Sequence, residues 1–271
     1  MFDLAGYGPQ IFSGTVTTVE LCVLSLLVSF GLGLLGASAK LSRSRVARLL
    51  ANVYTTLIRG VPDLVLMLLI FFSLQIWLND FTDWLNGLLQ TVMSCPPGTA
   101  LFWPLSPAFS GWLSQLVTQW VNNPDGPSLS LPLDPFVSGV ITIGFIYGAY
   151  FTETFRGAFM AVPAGQLEAA RAYGMRPLLV FRRVLFPQMM RHALPGIGNN
   201  WQVILKASAL ASLIGLSDIV KACQSAGEAT FATFFFIALA GLVYLALTVV
   251  SNGVLLVLER KYAVGVRKAA L

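Results

Sequence analysis

Apolar residues in this chain run together in blocks rather than alternating with polar ones, and the blocks are long enough to measure against a lipid bilayer. A helix needs ~20 mostly apolar residues to cross the hydrocarbon layer. Stretches at about 11–39, 60–78, 136–155, 196–220 and 231–258 reach that length, which predicts five spanning helices and an all-α polytopic membrane protein. In the first block Ser25, Ser29, Gly33 and Ala37 recur every four residues and so line one helical face. Small side chains there let a second helix approach closely. The same block contains GLGLLG, which formally satisfies the dinucleotide fingerprint G-x-G-x-x-G. That fingerprint requires a strand, a turn and then a helix, so inside an apolar helix it does not argue for a nucleotide.

Composition agrees with the pattern: of 271 residues 56% are hydrophobic and 11% charged, and the mean hydropathy is +0.75. A single water-soluble core does not absorb that much apolar surface. The opening MFDLAGYGPQ lacks a basic start and the run after it is too long for a signal-peptide core, so the first span is expected to be retained.

Charge adds an orientation. Lys40, Arg43, Arg45 and Arg48 follow the first block, Arg156, Arg171, Arg176, Arg182, Arg183 and Arg191 lie between the third and fourth, and Arg260, Lys261, Arg267 and Lys268 close the chain. Residues 79–135 contain no Lys or Arg but carry Asp80, Asp83, Asp125 and Asp134. Because basic loops stay in the cytoplasm, the N-terminus is expected outside and the C-terminus inside. The net charge of +5 then reports topology, and no nucleic-acid partner is implied.

One transmembrane domain is expected over 1–271, with an outer segment at 79–135 and an inside-facing loop at 156–195. In the outer segment Trp84, Leu85, Leu88, Leu89 and then Trp112, Leu116, Trp120 form apolar stripes between proline-marked breaks, as suits helices lying on the outer leaflet. A re-entrant pair within 101–121 is the alternative. Cys22, Cys95 and Cys223 have no metal-ligand spacing. Cys95 and Cys223 both fall near the outer side, so a disulfide and two free thiols are both open.

Polar groups inside the spans are costly and need a reason. Tyr147, Tyr150 and Glu153 are spaced by three and share one helical face. Two phenols and a carboxylate suit a cationic ligand, with the carboxylate accepting charge-assisted hydrogen bonds. Glu153 lies about 26 Å along the helix from Phe136, near the inner boundary, where pairing with Arg156 is the other reading. Lys206 is either paired with a carboxylate or facing one on a substrate. In PGIGNNWQ, Pro195, Gly196 and Gly198 loosen a helix, while Asn199, Asn200 and Gln202 either cap a helix start or line a cavity. Arg59 and Asp63, four apart around Pro62, form either an ion pair at a kinked entry or part of a gate. His192, beside Arg191, reads as an interface residue.

The chain has no G-x-x-x-x-G-K-[ST], no Cys/His cluster and no nucleophile motif such as G-x-S-x-G. It offers no catalytic residue and no metal site. A self-contained secondary transporter would be expected to show inverted repeats, and no repeat is visible.

Glu168, Ala169 and Ala170 are followed after three residues by Gly174, and after nine more by Val184, one residue, then Phe186 and Pro187. Gly174 can end a helix and Pro177 suits the first turn of the next. The spacing resembles the EAA loop of permease subunits of ABC importers, with Val184 and Phe186 where that family usually has Ile and Leu. Residues 55–78, 141–165, 193–216 and 250–266 are similar to the polar amino acid branch, in particular to Q-type permeases of histidine and lysine/arginine/ornithine importers of Gram-negative bacteria. Residues 79–135 form a longer outer segment than that branch usually has.

The resemblance implies a type I importer core in the bacterial inner membrane. It implies a paralogous permease as heterodimer partner, two copies of an ATPase that carries ATP and Mg, and a periplasmic amino-acid-binding protein; no cofactor belongs to this chain. Glu168, Ala169, Ala170, Gly174, Arg182, Arg183 and Pro187 would belong to the region coupled to the ATPase, and Tyr150 with Glu153 would fall where arginine-type importers contact ligand. The implied activity is import of basic amino acids, with another polar amino acid such as glutamine as the alternative.

Overall fold

The computed structural model describes residue 4, residues 6–94 and residues 134–262, with 86–94 in backbone only. The described elements are all helical: α1 (Gly8–Leu41), α2 (Arg45–Gly60), α3 (Asp63–Ser94), α4 (Pro135–Met160), α5 (Ala164–Ala172), α6 (Pro177–Val180), α7 (Phe186–Ala207), α8 (Ile219–Thr230) and α9 (Thr233–Tyr262). A π-turn at Phe181–Leu185 joins α6 to α7, and a 3₁₀ segment, Ser208–Ile214, extends α7. Residues 1–70 with 135–271 form one compact unit and 71–134 a second.

Among the described residues four helices are long and apolar enough to cross a membrane: α1, α3 over Asp63–Leu85, α4 and α9. The fifth candidate is a pair of segments, Pro177–Ile214 and Ile219–Thr230, bent by 54°. The expected span at 196–220 falls within this bent pair. Helix α7 begins at Phe186, continues through Pro195, Gly196 and Gly198, and loses α-helical geometry only at Ser208. Asn199 and Asn200 therefore sit in mid-helix, neither capping a start nor on irregular backbone.

The backbone groups freed at this bend are satisfied locally by side chains. Ser208 Oγ donates to the Leu205 carbonyl at 2.8 Å, Ser212 Oγ to that of Ala209 at 2.8 Å, and Asp218 Oδ1 accepts from the Lys221 amide at 2.9 Å to cap α8. Thr18 of α1 accepts from the Ile219 amide at 3.2 Å. Unpaired backbone groups in hydrocarbon cost several kcal/mol each, so these side chains are what permits the break.

Helices α1 and α4 run parallel and share the most extensive contact in the unit. Ser25, Ser29 and Ala37 are fully buried and Gly33 is buried with them, so the four-residue stripe is the contact face. Ser29 Oγ donates to the Gly144 carbonyl at 3.1 Å. A Cβ on Gly33 would strike Phe151, one on Gly36 would strike Thr152, and one on Gly144 would stand 2.6 Å from Val28 Cγ1. The glycines of GLGLLG are therefore spacing residues. Phe30 of α1 lies edge-on against Phe155 with ring centroids 4.8 Å apart.

Helix α2 was not expected from the hydrophobic blocks. Ser44 caps it by accepting from the Ala47 amide at 3.4 Å, and it buries Ala51, Thr55 and Ile58 while leaving Leu49, Leu50, Val53 and Leu57 exposed. The expected outer stripes beyond residue 94, the re-entrant pair and Cys95 lie outside the described residues. Cys22 and Cys223 are buried free thiols.

The glycine seam gives a direct contrast. Gly36→Ala is expected to destabilise by about 1–3 kcal/mol through overpacking, whereas Gly31→Ala, with nothing within 4 Å of its added Cβ, is expected to be neutral or slightly stabilising. Thermal unfolding of the two variants in detergent checks this, and equal Tm values would remove the seam argument.

Candidate functional site

The loop between α4 and α7 folds as a short helix, a left-handed glycine and a second helix. Helix α5 ends in a turn where the Met175 amide donates to the Ala170 carbonyl at 3.2 Å and the Gly174 amide to that of Arg171 at 2.9 Å. Gly174 has φ 77°, a conformation that costs other residues ~1–2 kcal/mol. Pro177 then occupies the first turn of α6 with its fixed φ and no wasted donor. The second helix is continuous with the span, since α6 passes through the π-turn directly into α7.

Ala170 and Val180 are buried and seat the loop, while Glu168, Ala169, Gly174, Arg182, Arg183 and Pro187 are exposed. The loop also shows Tyr173 at 88% and Leu178 at 78% exposure. These two were not singled out from the sequence; large apolar residues flanked by charges in a polar loop were the available signal.

The face expected to hold Tyr147, Tyr150 and Glu153 together is divided between two clusters. Tyr147 Oη donates to Asp63 Oδ2 at 2.9 Å and Tyr150 Oη points to Asp63 Oδ1 at 3.4 Å, the rings lying 5.5 Å apart. Arg59 and Asp63 form no ion pair; Arg59 Cζ sits 5.4 Å from the centre of the Tyr150 ring, a cation–π distance. Asp63 lies in the first turn of α3, where the helix dipole favours a carboxylate. Tyr147 lies about 18 Å along α4 from Pro135, close to mid-span. Tyr147 is buried, whereas Asp63 and Tyr150 are half-exposed, so one side of this cluster is open.

Glu153 is committed elsewhere. Lys40 of α1 donates to Glu153 Oε1 and also to Thr55 Oγ1 at 2.6 Å, and Arg156 Nε donates to Glu153 Oε2 at 2.8 Å. Lys40 was counted in the sequence only as a topology charge. It joins α1, α2 and α4 at one point, with its side chain 9% exposed.

Helix α7 presents a second polar surface. Asn200 is buried and donates to Thr154 Oγ1 at 3.1 Å, so its amide ties α7 to α4. On the other side Asn199 and Lys206 are exposed, and Lys206 has no partner among the described residues. Gln202 Nε2 donates to Asn252 Oδ1 of α9 at 2.7 Å. An open groove of about 410 Å³ between α7 and α9 is lined by Asn199, Gln202, Asn252 and Glu259 along with Leu255 and Leu256.

Residues 29–264 match the family described as binding-protein-dependent transport system inner membrane component. The chain belongs to this family. It is 52% identical over 268 residues to the histidine/lysine/arginine/ornithine transport system permease protein HisQ of Salmonella typhimurium LT2, covering 99% of this chain and 100% of HisQ, and 50% identical to HisQ of Escherichia coli K12 over the same shares. It is 32% identical to the arginine ABC transporter permease protein ArtQ of Escherichia coli K12 over 88% of each chain. Among solved structures it resembles an amino acid ABC transporter crystallised with histidines, with TM-score 0.66, 27% identity, and 96% of this chain and 99% of that chain covered. An inward-facing MetNI methionine ABC transporter aligns with TM-score 0.61 and 13% identity over 94% and 97% of the two chains, a likeness of fold alone. The protein is a multi-pass permease of the bacterial inner membrane with the type I ABC importer permease fold.

The junction at Glu153 has a testable energy. Lys40→Met and Glu153→Gln are each expected to destabilise the permease, and the double variant by less than their sum, with a coupling of about 1–3 kcal/mol. Denaturant unfolding of the four proteins measures it, and additive losses would contradict the pairing.

Proposed function

We propose that this permease is the Q-type membrane subunit of an ATP-driven importer for the basic amino acids histidine, arginine, lysine and ornithine. The observation that carries the reading is identity of 52% with HisQ spread over 99% of this chain. The permease would work beside a paralogous permease, two copies of an ATPase that binds ATP and Mg, and an amino-acid-binding protein outside the membrane. Orientation follows from charge. Helix α9 runs antiparallel to α7, since Gln202 meets Asn252 and Ser208 meets Tyr244. Arg260 and Lys261 therefore fall at the same end as the α5–α6 loop, which makes that end cytoplasmic by the distribution of basic residues.

Within this reading Glu168, Ala169, Gly174, Arg182, Arg183 and Pro187 belong to the face that meets the ATPase, and Ala170 supports it from beneath. Tyr173 and Leu178 add the apolar anchors that a docking surface needs at its centre. ATP-driven closure of the partner subunits would move this loop and switch access to the substrate path from one side to the other. The bias between the two states comes from contacts that differ between them.

For the path itself, the carboxylate that suits a cationic side chain is Asp63, with Tyr147 and Tyr150 orienting it and Arg59 at hand for a substrate carboxylate. Glu153 supports this cluster from the next turn of α4, its charge met by Lys40 and Arg156. Asn199, Lys206 and the groove beside Gln202 form a polar lining that lipid does not tolerate; Asn200 holds α7 in place for it.

Uptake into liposomes holding this chain, its paralogue and the ATPase, with arginine, histidine or glutamine delivered by the binding protein, tests the reading. Arginine and histidine are expected to exceed glutamine, and Asp63→Asn is expected to lower arginine uptake about 10-fold or more. Glutamine preference would remove the cationic assignment, and wild-type arginine uptake by the variant would remove Asp63 from the path.

The coupling face has its own test. Tyr173→Ser combined with Leu178→Ser is expected to reduce co-purification of the ATPase about tenfold at normal membrane insertion. Full retention of the ATPase would take these residues out of the docking surface.

A further inference from the structure

The end of the bundle opposite the α5–α6 loop is built from α8 and the first turns of α1 and α9. Ile11 of α1, Ile219, Cys223 and Ala226 of α8, and Phe236 and Ala240 of α9 form a buried apolar cluster there. Tyr7 lies edge-on to Phe236 at 6.3 Å and closes one side. This small core holds the turn between α8 and α9 in place. The Ala232 amide donates to the Gly227 carbonyl at 3.1 Å, and Gly227 stands so near Thr233 that an added Cβ would lie 2.7 Å from its Cα.

From that fixed turn two aromatic rings project. Phe231 is 96% exposed and Phe234 90% exposed. Phe231 also has φ 55°, the one left-handed residue besides glycine among those described. The position ends a helix, where glycine is the usual occupant because a Cβ is sterically penalised there. A ring so exposed gains little from this chain in return, so its benefit is to be sought in a partner.

We propose that Phe231 and Phe234 are the apolar docking knob for the solute-binding protein that delivers substrate to the permease, an inference that rests on the function proposed above. Three observations select this occupant. The family to which the chain belongs consists of inner membrane components of binding-protein-dependent systems. The turn stands at the end of the bundle, where a partner arrives end-on from the outer aqueous phase, whereas a second permease packs against the sides of the spans. Helix α9 is 30 residues long, about 45 Å, against a hydrocarbon layer of about 30 Å. Phe234 lies 26 residues from Arg260, about 39 Å along the helix. At a usual tilt of about 20° this still exceeds the hydrocarbon layer, so with Arg260 at the cytoplasmic boundary the first turn of α9 and the turn before it reach beyond the lipid tails. Aromatic residues, Phe among them, are enriched at the cores of protein–protein interfaces.

The test uses the assembled transporter in nanodiscs and the purified basic-amino-acid-binding protein loaded with arginine. ATP hydrolysis is followed as the binding-protein concentration is raised. Phe231→Asn, which tolerates the left-handed backbone, and Phe234→Ser are each expected to raise the half-saturating concentration at least fivefold. Basal hydrolysis and the saturated rate should not change. A photo-reactive group attached at Phe234→Cys is expected to form its adduct with the binding protein. Unchanged half-saturation in both variants, or an adduct only with lipid or the second permease, overturns the docking knob and leaves the importer reading intact. A wild-type transporter whose hydrolysis no amino-acid-loaded binding protein stimulates overturns that reading, and this inference with it.

Discussion

The separation of α1 and α4 is the constraint on which the rest of this permease hangs. Two parallel spans approach closely because Ser25, Ser29, Gly33 and Ala37 on one side and Gly144 and Gly148 on the other are small enough to seat the facing side chains, Phe151 on Gly33 and Val28 on Gly144, directly against the backbone. In a bilayer the hydrophobic effect does not drive helices together, so close packing and hydrogen bonds such as Ser29 to the Gly144 carbonyl must do so. Widening this seam by a methyl group would shift α4 as a whole, and α4 carries Tyr147, Tyr150, Glu153 and Thr154 before the chain enters the α5–α6 loop. The seam therefore sets the positions of both polar clusters and of the loop.

Two carboxylates next to α4 have opposite roles because of their neighbours. Glu153 meets Lys40, Arg156 and, through Lys40, Thr55. A partly buried carboxylate with two cations is electrostatically complete, and removing one partner would leave charge exposed to a poor solvent. Among the described residues Asp63 is met only by phenols, while the nearby Arg59 stacks on a ring rather than bonding the carboxylate. The charge of Asp63 is thus oriented but not neutralised, and it is half-exposed. A carboxylate in that condition, rather than one already paired, has free energy to gain from an arriving cation.

How much of this was legible in the sequence depended on range. The small-residue stripe of α1 and the loop at Glu168–Pro187 are local patterns, and both could be read directly: the stripe as a packing face, the glycine and proline at 174 and 177 as a helix stop and start. The positions of the apolar blocks were also legible. What was missed depends on tertiary contacts. Helix α2 was hidden because Arg45 and Arg48 break its apolar run, although its amphipathic face docks against α4 through Tyr54, whose hydroxyl donates to the Phe145 carbonyl at 2.5 Å. The partners Lys40 and Glu153 are separated by 113 positions, so their pairing had no local signature. The break at Ser208 was misplaced to the Pro195–Gly198 stretch. Helix breakers mark where a helix is weakened, but α7 is held together there by the contact of Gly196 with Thr154 and by the Asn200 amide.

Because α6 enters α7 through a π-turn without a break, one helical rod extends from Pro177 to Ala207. At one end it carries Leu178, Arg182 and Arg183, and further along Asn199, Gln202 and Lys206. It ends at the 3₁₀ segment and the bend, at the end of the bundle opposite the α5–α6 loop, where the Ile219 amide donates to Thr18 and Gly14 packs on the Asp218 carbonyl to fix α8 to α1. A stiff rod with a free joint at one end transmits displacement along its length and loses it at the joint. On the function proposed here, a load applied by the ATPase at Leu178 reaches the polar stripe of α7 almost undiminished, while α8 and the Phe231 turn stay where the α1 contact holds them. The place of the bend, not the number of spans, is then what separates the moving lining of the path from the fixed surface at which substrate arrives.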